Sequence, residues 1–178
     1  MEPNFKNITA PFDRRQLSAL RRGDFVLISG KLFTARDAGH KRIVEMLAEG
    51  ERLPMDLRGQ GIFYVGACFR DGQVVACGPT TSARMDDYAP VLYRAGVLAT
   101  LGKGDRNVAV KESIKEVGGV YFSLIGGAGA KYAQCVKSAK LIAFDDLGTE
   151  ALYEFDVENM PAIVAIDAFG ESIYDGEI

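Results

Sequence analysis

From residue 97 onward, short apolar runs alternate with helical stretches, and no other feature of the chain restricts its fold so tightly. Residues 97–101, 120–125 and 141–144 are apolar and of strand length, while 107–117 and 131–137 between them read as helices. Gly118-Gly119 closes the first of these helices, as glycine does where a chain leaves a helix through the left-handed region. A strand–helix–strand–helix–strand succession argues for a partly parallel sheet with helices over it. Residues 155–157 alternate, residues 161–166 read as a last buried strand, and Ser172-Ile173 suggests a short edge strand.

The first half adds different signals. Asp13 followed by Gln16 forms a capping box that opens a short helix through Leu20, ended by Gly23. Residues 25–30 are an apolar strand-like run. Thr34 and Asp37 read as a second capping box, before a helix with Ala38, Ile43, Met46 and Leu47 on one side and a stop near Gly50. The apolar residues 62–67 and 73–77 flank Asp71-Gly72, a strong hairpin signal that brings in antiparallel pairing. A helix carrying Val91, Leu92 and Ala95 ends at Gly96. The expected class is therefore α/β with a mixed sheet. At 178 residues one domain is the natural reading: an N-terminal arm with a short helix over residues 1–23, then a single domain over 24–178.

Composition excludes several functions. A net charge of −3 gives no nucleic-acid or membrane surface, and the pairs Arg14-Arg15 and Arg21-Arg22 read as a solvated helix face. The N-terminus lacks an apolar core and no run approaches the length of a membrane span, so a cytoplasmic location is expected. Cys68, Cys77 and Cys135 are the only cysteines and His40 the only histidine. None forms a CxxC pair, so a zinc site or self-contained cluster is not expected. Cys68 and Cys77 read as small buried hydrophobes.

Four polar segments each follow a strand signal and precede a helix signal: Thr34-Ala35-Arg36-Asp37, residues 78–84, Gly102-Lys103-Gly104-Asp105 and Gly126-Gly127-Ala128-Gly129. The carboxyl ends of strands are where α/β sheets bind ligands, and three of the four segments carry a cation. An anionic ligand suits them. Pro90 keeps the following helix from starting before about Asp86, which leaves Thr80, Thr81, Ser82 and Arg84 on a loop. Two readings stay open for that loop: an anion site with Arg84 clamping a carboxylate, or a hydroxyl-rich cap with a surface arginine. Lys103 lies between two glycines, which permit close backbone approach to a ligand, though a turn lysine is the commoner case. Gly126–Gly129 lacks both the dinucleotide fingerprint and the P-loop lysine and reads equally as tight helix–strand packing. Arg36 and His40 are four apart, hence on one helical face.

The runs SGKLFTARDAGHKR, ACGPTTSARMD, GKGD and SLIGGAGA, in this order, resemble the C-terminal part of class I fumarate hydratases. They equally resemble the beta subunit of two-subunit fumarases and of L(+)-tartrate dehydratase, from about Asp24 to the C-terminus. The resemblance implies a three-layer swivelling β/β/α domain and reversible hydration of fumarate to L-malate. It implies a partner, a larger alpha subunit holding a 4Fe–4S cluster on three cysteines, whose open iron binds the substrate hydroxyl. It assigns no metal ligand to this chain. It makes Arg36, Arg84 and Lys103 substrate-binding, Thr80 the proposed base and His40 a residue at or near the active site. It also makes a homodimer or an α2β2 assembly plausible. The chemistry is coherent, because cations aimed at a carboxylate stabilise the charge that builds when a neighbouring proton leaves. A threonine hydroxyl needs activation to act as a base. The same residues would also serve a non-catalytic module that binds dicarboxylates.

Overall fold

The computed structural model describes residues 4–176. In chain order the elements are β1 (Phe5–Ala10), α1 (Arg14–Ser18), β2 (Phe25–Thr34), α2 (Asp37–Glu49), β3 (Gly61–Phe63), β4 (Cys68–Arg70), β5 (Gln73–Ala76), α3 (Ala89–Arg94), β6 (Ala99–Gly102), α4 (Val108–Val117), β7 (Val120–Ser123), α5 (Gly129–Cys135), β8 (Val136–Ala143) and β9 (Leu152–Ile166). Short 3-10 helices occupy Ser82–Met85 and Asp145–Glu150.

Strands β2, β3, β6 and β7 are parallel neighbours in that order. Strand β9 runs antiparallel to β7 and also to β2, so the sheet returns on itself as a barrel. β9 can serve both partners because it is 15 residues long: β2 lies along one edge, while β8 and then β7 share the other. β1 adds a parallel strand beside the first half of β2. The mixed sheet matches the sequence pattern, whereas its closure had no local signal.

Local chemistry explains several element ends. The Asp13 carboxylate caps α1 by accepting from the Gln16 N–H at 2.7 Å, and Asn107 caps α4 through the Val110 N–H at 3.0 Å. Gly50 and Gly118 end α2 and α4 in the left-handed region. Asp71 and Gly72 both have positive φ, at 50° and 75°, as a tight primed hairpin turn between β4 and β5 requires. At Gly30, φ is 100° and a Cβ would collide with the Ala10 carbonyl of β1. Only glycine fits where the β2 register shifts.

Several expectations are corrected. Thr34 does not cap α2: it ends β2, where its hydroxyl accepts from the Tyr153 N–H of β9 at 3.1 Å. Arg36 holds the capping position without a side-chain bond. β1 went unforeseen because only Ile8 and Ala10 of its residues are buried. Within the span read as an N-terminal arm, Ile8, Phe12, Leu17 and Leu20 join the same core as β2 and β9. The expected strand over 62–67 ends at Phe63, and the hairpin begins only at Cys68. The two last expected strands are one, and the edge near Ser172 is a single bridge to Ile166.

Two further apolar clusters attach the helices to the sheet. One holds Ile43 of α2, Met85 and Leu92 of α3 against Ile62 and Tyr64. The other packs Tyr93 of α3 and Val110 and Ile114 of α4 against Tyr121 and Ile166. Helices α2, α3 and α4 are thereby fixed beside the strands whose ends form the site.

Candidate active-site rim

Because β2, β3, β6 and β7 are parallel, their carboxyl ends come to one rim of the barrel. The segments after them carry Arg36, Gly66, Lys103 and Gly126. The loop that follows β5 crosses over this rim. Its Thr80 N–H donates to the Tyr64 carbonyl at 2.8 Å and its carbonyl accepts from the Lys103 N–H at 3.1 Å. The Ser82 N–H donates to the Lys103 carbonyl at 2.8 Å, and Thr81 pairs with Lys103 as a parallel bridge. The hydroxyl loop is thus a short extension of the sheet, with Thr80 and Lys103 locked side by side through their backbones. The Lys103 ammonium lies next to Gly126, 3.5 Å from where a Cβ would stand.

The two arginines sit beside each other at the start of α2. Arg36 lies across the Gly66 backbone, its Nη1 only 2.9 Å from where a Cβ would be. Its Nε is 3.6 Å from Glu150 Oε1 and its Nη2 3.8 Å from Asp37 Oδ2. The Arg36 Nε and Glu150 Oε1 are buried without hydrogen-bond partners. Arg84 makes a bidentate pair with Asp37, Nε to Oδ1 and Nη2 to Oδ2, both at 2.9 Å. This part of the site therefore sets three cations, Arg36, Arg84 and Lys103, against two carboxylates, Asp37 and Glu150. The balance favours an anion. Arg84 lies inside the 3-10 helix Ser82–Met85, and α3 has only six residues. The helix start behind this loop is therefore short, and the charge it offers an anion is that of the Arg84 side chain.

Beneath the rim is a polar network that sequence reasoning missed. The Arg106 side chain is fully buried; its Nε donates to Asp86 Oδ1 at 2.6 Å, Nη1 to Thr100 at 3.2 Å and Nη2 to the Tyr64 hydroxyl at 3.2 Å. The other Asp86 oxygen accepts from the Asn107 N–H at 2.7 Å. Tyr121 completes the floor, its hydroxyl 2.9 Å from Ser82 Oγ and 2.7 Å from the Gly104 carbonyl. The network ties the Thr80 loop to the Lys103 loop. Arg106 directly follows GKGD and Asp86 ends ARMD, so both adjoin segments that carry the site. Nothing local in the sequence pairs them.

His40 shares a face with Arg36, as its spacing requires, but that face is turned into the protein. The imidazole is fully buried between Tyr64 and Tyr88, at ring distances of 5.0 and 6.1 Å. Its Nδ1 is 2.8 Å from the Arg36 carbonyl. A carbonyl only accepts, so Nδ1 carries the hydrogen of the neutral ring. His40 thus stands directly behind the rim, bonded to the Arg36 backbone through Nδ1, while its Nε2 is buried without a hydrogen-bond partner among the described residues. Asp37 and Glu150 were also missed as site residues: the spacing of Asp37 from Thr34 reads as part of a cap, and Glu150 carries no signal.

Among the described residues no group of three His, Cys, Asp or Glu side chains could hold a metal ion. Cys77 is buried, and burial pushes its thiol up to about 12; Cys68 is on the exposed hairpin rather than in the core. A cavity of about 530 Å³ lined by Ala67, Gly148 and Thr149 adjoins Gly66 and Glu150 of this rim. No helix of the described residues is long and apolar enough to cross a membrane.

The family model described as the fumarase C-terminus matches residues 5–176, a span that includes β1. A Methanocaldococcus jannaschii protein named as an L(+)-tartrate dehydratase subunit beta is 38% identical, over 98% of this chain and 92% of its own length. Fumarate hydratase 2 of Leishmania major is 37% identical over 94% of this chain but only 31% of its own length. The aerobic class I fumarate hydratase of Escherichia coli K12 is 32% identical over 83% of this chain and 28% of its own. The chain therefore spans about a third of the fumarate hydratases it matches, while matching a separately encoded beta subunit nearly end to end. With the family model matched along almost its whole length, this chain belongs to the fumarase C-terminus family.

Proposed function

We propose that this chain is the beta subunit of a hydro-lyase acting on a four-carbon dicarboxylate, with reversible hydration of fumarate to L-malate as its reaction. We further read it as a swivelling β/β/α domain that closes over a larger alpha subunit. The observation that carries the proposal is the gathering of Arg36, Arg84 and Lys103 with the Thr80 loop on one rim. Two carboxylates need cations at two points, and planar arginine forks suit them. Removing a proton next to a carboxylate pushes charge onto its oxygens, and Lys103 beside Thr80 lies where such charge could be stabilised. Thr80, whose backbone pairs with that of Lys103, is read as the base that takes this proton.

The cysteines of this chain do not form a ligand set, so a 4Fe–4S cluster would come from the partner. The relatives' names support both halves of the reading: one is a subunit beta, and others are single chains about three times as long. L(+)-tartrate is the alternative substrate, because the relative named for it matches this chain nearly end to end.

The test is anaerobic co-production with a cluster-bearing alpha subunit, followed by assay on fumarate, L-malate and L(+)-tartrate. Turnover of one of these is expected, together with inactivity of the lone chain. Lys103→Ala should lower kcat/KM by about 10²-fold, the scale of losing one aimed electrostatic group. A reconstituted pair that binds diacids without turnover would identify a binding module instead.

A further inference from the structure

The Arg84 fork is already occupied, and by a carboxylate of the same chain. Asp37 takes the Nε and Nη2 edge of the guanidinium with two bonds of 2.9 Å. Its Oδ2 also lies 3.8 Å from Arg36 Nη2. One acidic side chain thus stands between the two arginines proposed to bind substrate. It joins positions 47 residues apart in sequence. The arrangement has two physical readings. Asp37 could compete with a substrate carboxylate for the same edge, or it could hold the guanidinium by one edge and present the other.

The geometry favours the second reading. A guanidinium offers five N–H donors in a rigid plane and can bind carboxylates on more than one edge. With Nε and Nη2 engaged on one side, the Nη1 end has no hydrogen-bond partner among the described residues. Asp37 is also poorly placed to swing away. It is the first residue of α2, where a negative charge is favoured by the exposed N–H groups of the helix start, and it faces Arg36 as well. The Arg84 side chain is half exposed, so without this pair nothing else described would hold its long chain in one rotamer.

We propose that Asp37 is the positioning residue of the substrate site: it fixes Arg84 by one edge so that the Nη1 edge meets a substrate carboxylate. The inference rests on the dicarboxylate reading above. Asp37 does not touch substrate and transfers no proton; it acts through Arg84.

A double-mutant cycle in the assembled enzyme tests this. Asp37→Ala should raise KM for the diacid by about tenfold or more with kcat changed much less, since ordering of a binding group is lost. Thermal stability should move little. Adding Asp37→Ala to Arg84→Ala should cause no further rise in KM, because the residue acts through a group already gone. A fall in KM on Asp37→Ala would show competition and overturn the proposal. Equal KM effects with and without Arg84 would do the same, by showing that Asp37 acts elsewhere. Both failures require an active wild-type enzyme. A wild-type pair inert on all three diacids would sink the dicarboxylate reading first, and this role with it.

Discussion

His40 shows what a single residue can be asked to do when burial removes its usual options. Its spacing from Arg36 was readable from sequence; its depth was not, because depth depends on Tyr64 and Tyr88, which come from distant segments. Burial lowers its pKa from 6.5 to about 4, the hydrogen bond to the Arg36 carbonyl opposes that, nearby Arg106 adds to it and Asp37 opposes it. The folded protein therefore keeps the ring neutral where the unfolded chain protonates it. Between about pH 6.5 and 4 the unfolded state binds the extra proton, so stability falls as pH drops. The contribution is complete above about pH 6.5. It has shrunk by on the order of 3 kcal/mol near pH 4, because each tenfold difference in proton affinity between the two states is worth about 1.4 kcal/mol. Urea denaturation at about pH 7, 5.5 and 4 should show wild type losing this stability relative to His40→Met. Parallel curves for the two proteins would mean that the imidazole does not titrate with folding.

The carboxyl end of β6 bears most on the geometry of the rim. Gly102 is buried there, and a Cβ at that position would overlap Ser82 Oγ, stand 2.9 Å from Tyr64 Cδ2 and 3.2 Å from the Thr80 carbonyl. Gly102→Ala must push the Thr80–Ser82 segment away from Lys103. A cost of about 1–3 kcal/mol is expected for such overpacking, seen as a lower urea midpoint. The assembled enzyme should lose kcat/KM even at temperatures where it remains folded, since small displacements of positioning groups are costly. GKGD was readable as a site segment because its glycines flank a lysine after a strand. The same holds for the other element ends set by local chemistry: Asp13, Asn107, Gly50, Gly118 and the Asp71-Gly72 turn. Elements defined by distant partners were not readable. β1 alternates too weakly to declare itself, and the unity of β9 depends on its pairing with β2, β7 and β8. The four loops could be expected at one rim because parallel strands end together, but barrel closure could not.

At the scale of the whole molecule, the Arg106–Asp86 pair decides whether rim and barrel behave as one unit. Its partners come from the end of β3, from β6, from the 3-10 helix and from the start of α4, and the guanidinium also lies 5.2 and 4.9 Å from the Tyr64 and Tyr121 rings. Arg106 is fully buried and the Asp86 side chain is 7% exposed, so neither charge can return to water without opening the core. Removing one partner leaves the other uncompensated, at a cost of about 3–5 kcal/mol. That is a large part of the roughly 5–15 kcal/mol that holds a domain folded. Asp86→Ala should therefore lower the urea midpoint steeply. Asp86→Leu combined with Arg106→Met removes both charges and should recover much of the loss, because apolar replacement of a buried pair is often close to neutral. Activity should not recover with it. Tyr64 loses the Nη2 donor that orients it, and its backbone carries the Thr80 N–H contact on the other side. A folded but poorly active double variant would separate the two tasks of the pair, holding the barrel and aiming the loops. Full activity in that variant would show that backbone pairing between Thr80, Ser82 and Lys103 is enough to shape the rim.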